Sequence, residues 1–421
     1  MTATPPPARF LVPAGTARRR RAAVPLAAAA AALALAACVS GGPPVAKVDE
    51  EAVKRYREQG YAVAPVATIG QRISAPPTEA PWTVSIVRPA DHLAHPLVIY
   101  LASLGDDDAA PVQWIQSWAH AGYAVLSVQA LPDDAQVWAT ADARSGDFER
   151  IARARYADEL MADRIAGLAR LLGEIHQRSA RGEPGLDGLD WGHVALAGAD
   201  LGAYTAQAIA AAPEALGSGG WTLAPAAYIV VSPYARRGAG PAPAGRAIAP
   251  VLMISARDDV DAYGVVSDPA IRHLAFDRLG PGEHYYFELG SVTHRWLEGD
   301  IQSALAPDAA RRAAPGSWHD APQGPGDRRR RGGDARDSMA PESDEEDAAN
   351  SAEKKARLQA RAGQEAVRAR SLTQAARSVA SFEAVSTAFL DAYVRRQPTA
   401  RTWLLESAGS WLQNGDRLKH P

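Results

Sequence analysis

Residues 193–204 read HVALAGADLGAY, and this stretch decides the fold. It begins with an apolar run typical of a buried strand, and Leu201–Ala211 has the pattern of a helix. Glycines stand two positions before and after Asp200, at Gly198 and Gly202. This layout predicts a sharp strand-to-helix turn whose central side chain projects above the sheet, because a Cβ at either glycine would collide with neighbouring backbone. The helix amino terminus behind the turn would direct N–H groups toward an anionic centre.

Short β-rich runs alternate with longer helical stretches on both sides of this turn. Most of the runs are continuously apolar, as expected for strands that are covered on both faces. The pattern predicts a doubly wound α/β chain, with a mostly parallel sheet and helices on both of its faces. The predicted strands are Trp82–Val87, Leu97–Ala102, Ala124–Val128, His193–Ala197, Ala227–Ser232, Val251–Ser255 and His284–Leu289. The predicted helices are Val48–Gln59, Val112–Ala121, Tyr156–Ser179, Leu201–Ala211, Arg272–Leu279 and Ala352–Arg395.

The bulk composition is that of an ordinary globular protein. Of 421 residues, 47% are hydrophobic and 22% are charged, and the formal net charge is -3. This near-neutral balance gives no reason to expect nucleic acid as a partner. The single cysteine, Cys38, excludes an intramolecular disulfide and a metal site built from cysteines.

The chain changes character several times along its length. The predicted parts are a targeting segment (1–38), a tether with a helix (39–81), the α/β core (82–304), a disordered insertion (305–355) and a C-terminal helix that packs on the core (356–421).

The insertion is predicted from its lack of large apolar residues, which leaves too little burial to offset the entropy of ordering. Its basic run at Arg328–Arg331 lies near an acidic run at Asp344–Asp347. That mixture favours a solvated spacer over an RNA- or lipid-binding patch. The C-terminal helix is expected to pack on the sheet through apolar residues at helical spacing, namely Phe382, Val385, Phe389 and Tyr393.

The targeting segment has four arginines, Arg18–Arg21, followed by the apolar run Ala22–Ala37, which is short for a membrane span. The sequence LAAC that ends at Cys38 resembles the lipobox of bacterial lipoproteins. This resemblance implies a cysteine acylated with fatty acids such as palmitate, and Val39 after it implies transport to the outer membrane. At roughly 0.8 kcal/mol per buried CH₂, two or three acyl chains would hold the mature protein on a membrane. A plain secretory signal that happens to contain a cysteine is the alternative.

The glycine-flanked turn, residues 118–126 (WAHAGYAVL) and residues 389–393 (FLDAY) together resemble the α/β-hydrolase superfamily. Their order is most similar to the dienelactone hydrolase and platelet-activating-factor acetylhydrolase branch, over about Trp82 to Leu404. The resemblance implies a hydrolase fold with no large cap, since only about fifteen residues separate Tyr234 from Pro250. It also implies a nucleophile, an acid and a histidine in that chain order.

The resemblance places the nucleophile elbow at Asp200, where most esterases have serine. It places the acid after the predicted strand Val251–Ser255, at Asp258, with Asp259 as the close competitor. The histidine should follow the last predicted strand, at His294. We therefore expect a triad of Asp200, His294 and Asp258.

The oxyanion hole of this family is expected to come from the backbone N–H groups of Leu104 and Leu201. Ser103 is an alternative, displaced nucleophile. We expect no metal and no cofactor, because the sequence has no glycine-rich phosphate loop and no paired histidines at ligand spacing.

Three interpretations of Asp200 remain open. As a nucleophile, its carboxylate would attack carbon in an alkyl halide or epoxide, since attack on a carboxylic ester would give a poor anhydride intermediate. As a general base, it would activate water for ester hydrolysis without a covalent step. As an inert residue, it would leave a binding or envelope scaffold, or serve only as a helix N-cap.

The expected partners are a small-molecule or lipid-like substrate and a membrane reached through the lipid anchor. If Asp200 and Asp258 flank His294, the two carboxylates should raise the pKa of the imidazole.

Overall fold

The structure is a computed structural model that describes residues 47–75, 81–91, 93–108, 112–235, 249–261, 263–299, 301 and 344–420. All of these residues belong to one structural unit. The predicted targeting segment 1–38 and the predicted acylation site Cys38 lie outside them. Among the described residues, no helix combines the length and the apolar character needed to cross a membrane.

Eleven strands are present in the described part of the chain. They are β1 (Thr68–Ile73), β2 (Trp82–Pro89), β3 (His95–Leu101), β4 (Ala124–Ala130), β5 (Leu189–Ala199), β6 (Gly217–Ser218), β7 (Trp221–Thr222), β8 (Ala227–Val231), β9 (Val251–Asp258), β10 (His284–Thr293) and β11 (Arg417–Lys419).

Nine of these strands form one mostly parallel sheet in the order β1-β2-β4-β3-β5-β8-β9-β10-β11. Its antiparallel pairings are β1 with β2, β2 with β4, and β10 with β11. The remaining two strands, β6 and β7, form a small antiparallel hairpin. All seven strands predicted from the sequence are present, so the prediction of an α/β chain with a mostly parallel sheet is confirmed.

The helices are α1 (Glu50–Gln59), α2 (Val112–His120), α3 (Ala141–Ser145), α4 (Phe148–Arg155), α5 (Asp158–Ala180), α6 (Leu201–Ala211), α7 (Ala270–Asp277), α8 (His294–Leu297), α9 (Asp344–Tyr393), α10 (Pro398–Thr402) and α11 (Ala408–Trp411). Trp403–Ser407 between the last two is π-helical.

Helices cover both faces of the sheet, because alternate side chains of each strand enter different cores. On one face, Ala195 and Ala197 of β5 belong to the cluster built around the indoles of α2 and the apolar side of α9. On the other face, Val194 and Leu196 belong to the cluster formed with α5 and α6. This alternation explains why β5 reads as a continuous apolar run.

The C-terminal helix packs on the core as predicted. Phe382, Val385 and Phe389 are fully buried, and the ring of Phe382 stacks on Trp114 with 3.8 Å between centroids. The helix begins at Asp344, so residues 344–355 are helical and the predicted boundary of the disordered insertion at 355 is wrong for them. Residues 305–343, which make up the rest of that prediction, lie outside the described residues.

Several elements were absent from the sequence prediction, among them β1, β11 and the two short helices between β4 and α5. Strand β1 is largely exposed and contains Gly70, Gln71 and Arg72, so it has no apolar run to detect. Strand β11 has only three residues, and both of its ends are exposed. The segment between β4 and α5 contains two short helices, α3 and α4, that carry too few apolar positions for a periodicity.

The close approach at Gly202 gives a first prediction. A Cβ at Gly202 would overlap the carbonyl group of Leu101 at the end of β3. We expect Gly202→Ala to lower the free energy of unfolding by about 3 kcal/mol, because backbone on both sides would have to move. Gly363→Ala is the control: Gly363 lies in α9 with open space around it, and its replacement should be neutral or slightly stabilising. Urea denaturation of both variants checks this, and equal stabilities would contradict it.

Candidate active site

Asp200 occupies the corner between β5 and α6, where the two glycines predicted a turn. Its backbone has φ 50° and ψ −109°, a region that non-glycine residues rarely adopt and that costs about 1–3 kcal/mol. The corner is held by two hydrogen bonds: the N–H of Asp200 donates to the carbonyl of Val231, and its own carbonyl accepts from the N–H of Tyr204. The side chain is only 2% exposed.

His294 begins α8, directly after β10, and is 3% exposed. Its Nδ1 lies 2.7 Å from Oδ1 of Asp259, and its Nε2 lies 3.3 Å from Oε1 of Glu298. One ligand-type atom each of Asp200, His294 and Glu298 lies within 4.8 Å of the other two. The fold therefore brings the predicted nucleophile and the predicted histidine to the same place.

The acid beside the imidazole is Asp259, the competitor, and not Asp258. Asp258 is the last residue of β9 and its side chain is exposed. Asp259 is fully buried and accepts hydrogen bonds from Ser255 at 2.8 Å and Ser232 at 3.2 Å. Successive side chains of an extended chain point to opposite sides, so only one of the two aspartates can face His294.

Arg272 lies beneath Asp259 and was missed in the sequence. It comes from α7, is 1% exposed, and lies 3.4 Å from the Asp259 carboxylate. Its guanidinium also donates to the carbonyls of Ser232 and Pro233. The signal available in the sequence was a single arginine on the apolar side of a predicted helix, which carries no information about its partner.

Glu298 was also missed. It follows His294 by four residues, the spacing at which helical side chains meet, and its side chain is 22% exposed. A helix at this position could not be predicted, because α8 has only four residues.

A cover over the site is formed by the segment between β4 and α5. Its buried side chains Val137, Ile151 and Tyr156 pack against Leu104 and Leu201. The Tyr156 hydroxyl donates a hydrogen bond to the Asp200 carboxylate, whose Oδ2 has no hydrogen-bond partner among the described residues. The sequence predicted no large cap in the connection between Tyr234 and Pro250. This small helical cover lies in a different connection, between β4 and α5. Between Tyr234 and Pro250, residues 236–248 lie outside the described residues.

The cover is tied to the loop that follows β3. The indole N–H of Trp138 donates to the carbonyl of Gly105 at 3.0 Å, and the Tyr263 hydroxyl donates to the carbonyl of Leu104. Trp138 and Tyr263 stack with 5.5 Å between their ring centroids.

Leu104 and Leu201, the predicted oxyanion-hole residues, belong to the same buried cluster. Neither backbone N–H donates a hydrogen bond to another described residue. Ser103 is buried, but the hydrogen-bond partners of His294 do not include it within the described part of the chain.

The charges of the site shift several pKa values. Burial alone would lower the pKa of His294, but the carboxylates of Glu298 and Asp259 outweigh it and hold that pKa well above its usual value. The raised pKa was expected, although Glu298 and Asp259 cause it instead of Asp200 and Asp258. Burial would raise the pKa of Asp259, but Arg272 and His294 lower it to about 2.

The other two carboxyls shift upward. Burial raises the pKa of Asp200 to about 6, with His294 opposing and Glu298 adding to the shift. Burial and repulsion from Glu298 and Asp200 raise the pKa of Asp106 to about 8. The cluster therefore carries more carboxylates than its two cations, His294 and Arg272, can neutralise.

No protein-family model matches this chain, and no curated protein matches its sequence.

The Asp259 pairing gives a second prediction. Asp259→Asn leaves Arg272 without its counter-charge and removes one of the two carboxylates beside the imidazolium of His294, so we expect the free energy of unfolding to fall by about 3 kcal/mol at neutral pH. Asp258→Asn is the matched control and should change it by less than about 0.5 kcal/mol. Chemical denaturation from pH 7 to pH 2 measures both.

The pH dependence has a defined sign. The folded-state pKa of Asp259 is depressed from 3.8 to about 2, so its contribution is complete above pH 4 and is lost as the pH falls toward 2. The difference in the free energy of unfolding between wild type and Asp259→Asn should therefore become smaller over that pH interval. A larger loss in the free energy of unfolding for Asp258→Asn than for Asp259→Asn would contradict the assignment of Asp259.

Proposed function

We propose that this protein is a hydrolase of the α/β-hydrolase fold in which Asp200 is the nucleophile and His294, oriented by Asp259, activates water. The strand order supports this fold, because one antiparallel strand, β2, precedes a run of parallel strands that exchange β3 and β4. The order of the site also supports it: nucleophile after β5, acid after β9 and histidine after β10.

The observation that carries the proposal is the backbone of Asp200. A non-glycine residue is kept at φ 50° at a glycine-flanked corner, with its carboxylate beside an imidazole that a second carboxylate orients. An N-cap does not need this strain, and Asp200 makes no side-chain capping bond to α6. Strain of this kind persists where the surrounding structure imposes it, and it concentrates at functional sites.

The chemistry follows from the nucleophile being a carboxylate. Its oxygen forms a bond to an electrophilic carbon of the substrate while the carbon–halogen or epoxide carbon–oxygen bond breaks, and the leaving atom takes the electron pair. The product is an alkyl ester of Asp200. Water then attacks the ester carbonyl and gives one proton to Nε2 of His294. The tetrahedral intermediate collapses and expels the alkoxide, which takes that proton from His294 and leaves as the alcohol, while the Asp200 carboxyl loses the second water proton to solvent and becomes a carboxylate again.

The raised pKa of His294 sets a condition on the second step. An imidazolium cannot accept a proton, so water activation requires the neutral ring. Alkylation of Asp200 removes one negative charge beside the ring, which favours loss of the proton at the stage where it is needed.

The buried position of the site implies that the cover moves during turnover. Asp200 and His294 are 2% and 3% exposed, so the carboxylate has too little exposed surface for contact with an organic substrate in this conformation. We propose a small or amphiphilic substrate, delivered at a membrane surface to which acylated Cys38 holds the protein, at the periplasmic face of the outer membrane.

The same closure favours a second candidate, a catalytically inactive protein of this fold that acts as an envelope binding or scaffold module. The two candidates differ in one respect that can be measured directly, which is whether a substrate carbon ever becomes attached to Asp200.

A trapping experiment tests the function. Haloalkanes, epoxides and p-nitrophenyl esters are offered to wild type, Asp200→Asn, Asp200→Ser and His294→Gln. We expect wild type to hydrolyse a haloalkane or epoxide, and Asp200→Asn to lose at least about 10³-fold in kcat/KM. His294→Gln should accumulate the covalent ester, visible by intact mass as the added alkyl group on the peptide that contains Asp200.

Asp258→Asn is the control and should retain wild-type turnover. Hydrolysis that survives Asp200→Asn unchanged would exclude the nucleophile. Turnover of esters alone, with no trapped adduct, would favour general-base catalysis, and no turnover of any class would favour the scaffold.

The proposed anchor has its own test. Wild type and Cys38→Ser are expressed in a Gram-negative host with a clickable palmitate analogue. We expect the label only on wild type, together with loss of outer-membrane fractionation in Cys38→Ser. If wild type and Cys38→Ser fractionate equally and neither carries the label, the segment is a plain secretory signal.

A further inference from the structure

We infer that Asp200, His294 and Glu298 form a binding site for a divalent transition-metal ion such as Zn²⁺. The inference goes beyond the proposed hydrolysis and does not depend on it. It rests on the positions, burial and unfilled bonding capacity of three side chains, and it assigns a role to Glu298, which the hydrolytic steps do not use.

The donor set is of the kind that binds such ions. One imidazole nitrogen and two carboxylate oxygens are common ligands of Zn²⁺ and related metals, which accept three protein ligands and keep a fourth position for water. The three atoms come from two parts of the chain, the β5–α6 corner and α8 with Glu298, the residue that follows it.

The distances agree with a metal site. Two ligand atoms, each about 2.1 Å from a tetrahedral Zn²⁺, are separated by about 3.4 Å. Nε2 of His294 and Oε1 of Glu298 are 3.3 Å apart, which already matches this separation. The Asp200 oxygen lies within 4.8 Å of both, so a modest rotation of its side chain completes the set.

Two buried atoms at this point lack hydrogen bonds in the described part of the chain. They are Oδ2 of Asp200 and Nε2 of His294, and the second of these faces Oε1 of Glu298 at 3.3 Å without the geometry of a hydrogen bond. A buried polar atom with no hydrogen bond is costly, because it has lost water without replacement. Coordination of one cation by both atoms would satisfy them together.

The imidazole is already oriented for coordination. Asp259 lies 2.7 Å from Nδ1, so it accepts the N–H of that nitrogen and leaves Nε2 as the ligand atom. A carboxylate behind a coordinating histidine is a common arrangement in metal sites, since it fixes the tautomer and increases ligand basicity. Arg272 neutralises that outer carboxylate at 3.4 Å, so the charge of Asp259 does not need the ion.

The charge balance also favours a dication. Asp200 and Glu298 face the imidazole, and Asp106 lies close enough to repel both. Asp261, a further buried acid, accepts backbone N–H groups from Tyr263, Val265 and Val266. Replacement of the Nε2 proton by the metal ion releases that proton to solvent and adds one unit of positive charge to the cluster.

Entry is from the side of Glu298. Asp200 and His294 are almost completely buried, whereas the Glu298 side chain is 22% exposed. An ion that reaches the site through Glu298 would occupy the carboxylate that otherwise attacks substrate. Metal binding would therefore inhibit the proposed hydrolysis instead of supporting it.

Titration calorimetry of the full-length protein, first treated with EDTA and dialysed, tests the site with Zn²⁺ alone. We expect wild type to bind one ion, and Glu298→Gln to bind at least tenfold more weakly. Glu298→Gln keeps the size of a partly exposed side chain and should fold normally. Co²⁺ gives a second readout, because ligation at a buried four-coordinate site produces strong visible absorption that the variant should lack.

His273→Gln is the matched control. His273 forms a comparable histidine–carboxylate pair with Asp277 at 2.9 Å, but its other ring nitrogen contacts Lys419, and no third acid among the described residues completes a site. Its replacement should leave Zn²⁺ affinity and stoichiometry unchanged.

Equal affinity of Glu298→Gln and wild type, or the absence of a stoichiometric site in wild type, would overturn the inference. The outcome is separable from the proposed function, which is measured by covalent trapping in the presence of EDTA. Zn²⁺ binding without a trapped ester would support the metal site and not the hydrolase. A trapped ester without Zn²⁺ binding would support the hydrolase and not the metal site.

Discussion

The structure depends on the contact between the β5–α6 corner and the end of β3. Gly202 lies directly against the Leu101 carbonyl, and Gly198 lies against Gly202 itself, so no side chain fits at either position. This approach fixes Asp200 at positive φ and places its carboxylate under the cover. A charge buried in this way needs compensation, and the positive charges of His294 and Arg272 supply it, since both oppose the effect of burial on the pKa of Asp200.

The sequence was informative where the chemistry is local. The turn at Asp200 could be predicted because its glycines lie within two residues of it, and the strands could be predicted because each is apolar along its length. The meeting of Asp200 with His294 could be expected because the carboxyl ends of parallel strands share one edge of the sheet. The choice between Asp258 and Asp259 could not be predicted, because a shift of one residue at the end of β9 reverses which of the two side chains faces inward.

Other parts of the site could not be predicted from the sequence for a different reason. Arg272 acts through Asp259, a partner that is distant in sequence. Glu298 follows a helix that is too short to show a hydrophobic period. The cover between β4 and α5 is built from short turns whose apolar residues meet only in three dimensions. These are tertiary effects, and no local propensity reports them.

The ties between the cover and the β3 loop have a consequence for how the protein opens. Trp138 and Tyr263 bond the carbonyls of Gly105 and Leu104, while Leu104 itself packs into the cover. If the cover moves away from Asp200, Trp138 loses its bond to Gly105 and its stacking on Tyr263, and Leu104 loses part of its packing. For the proposed hydrolase, this means that the N–H group of Leu104 is held in position only while the cover is closed.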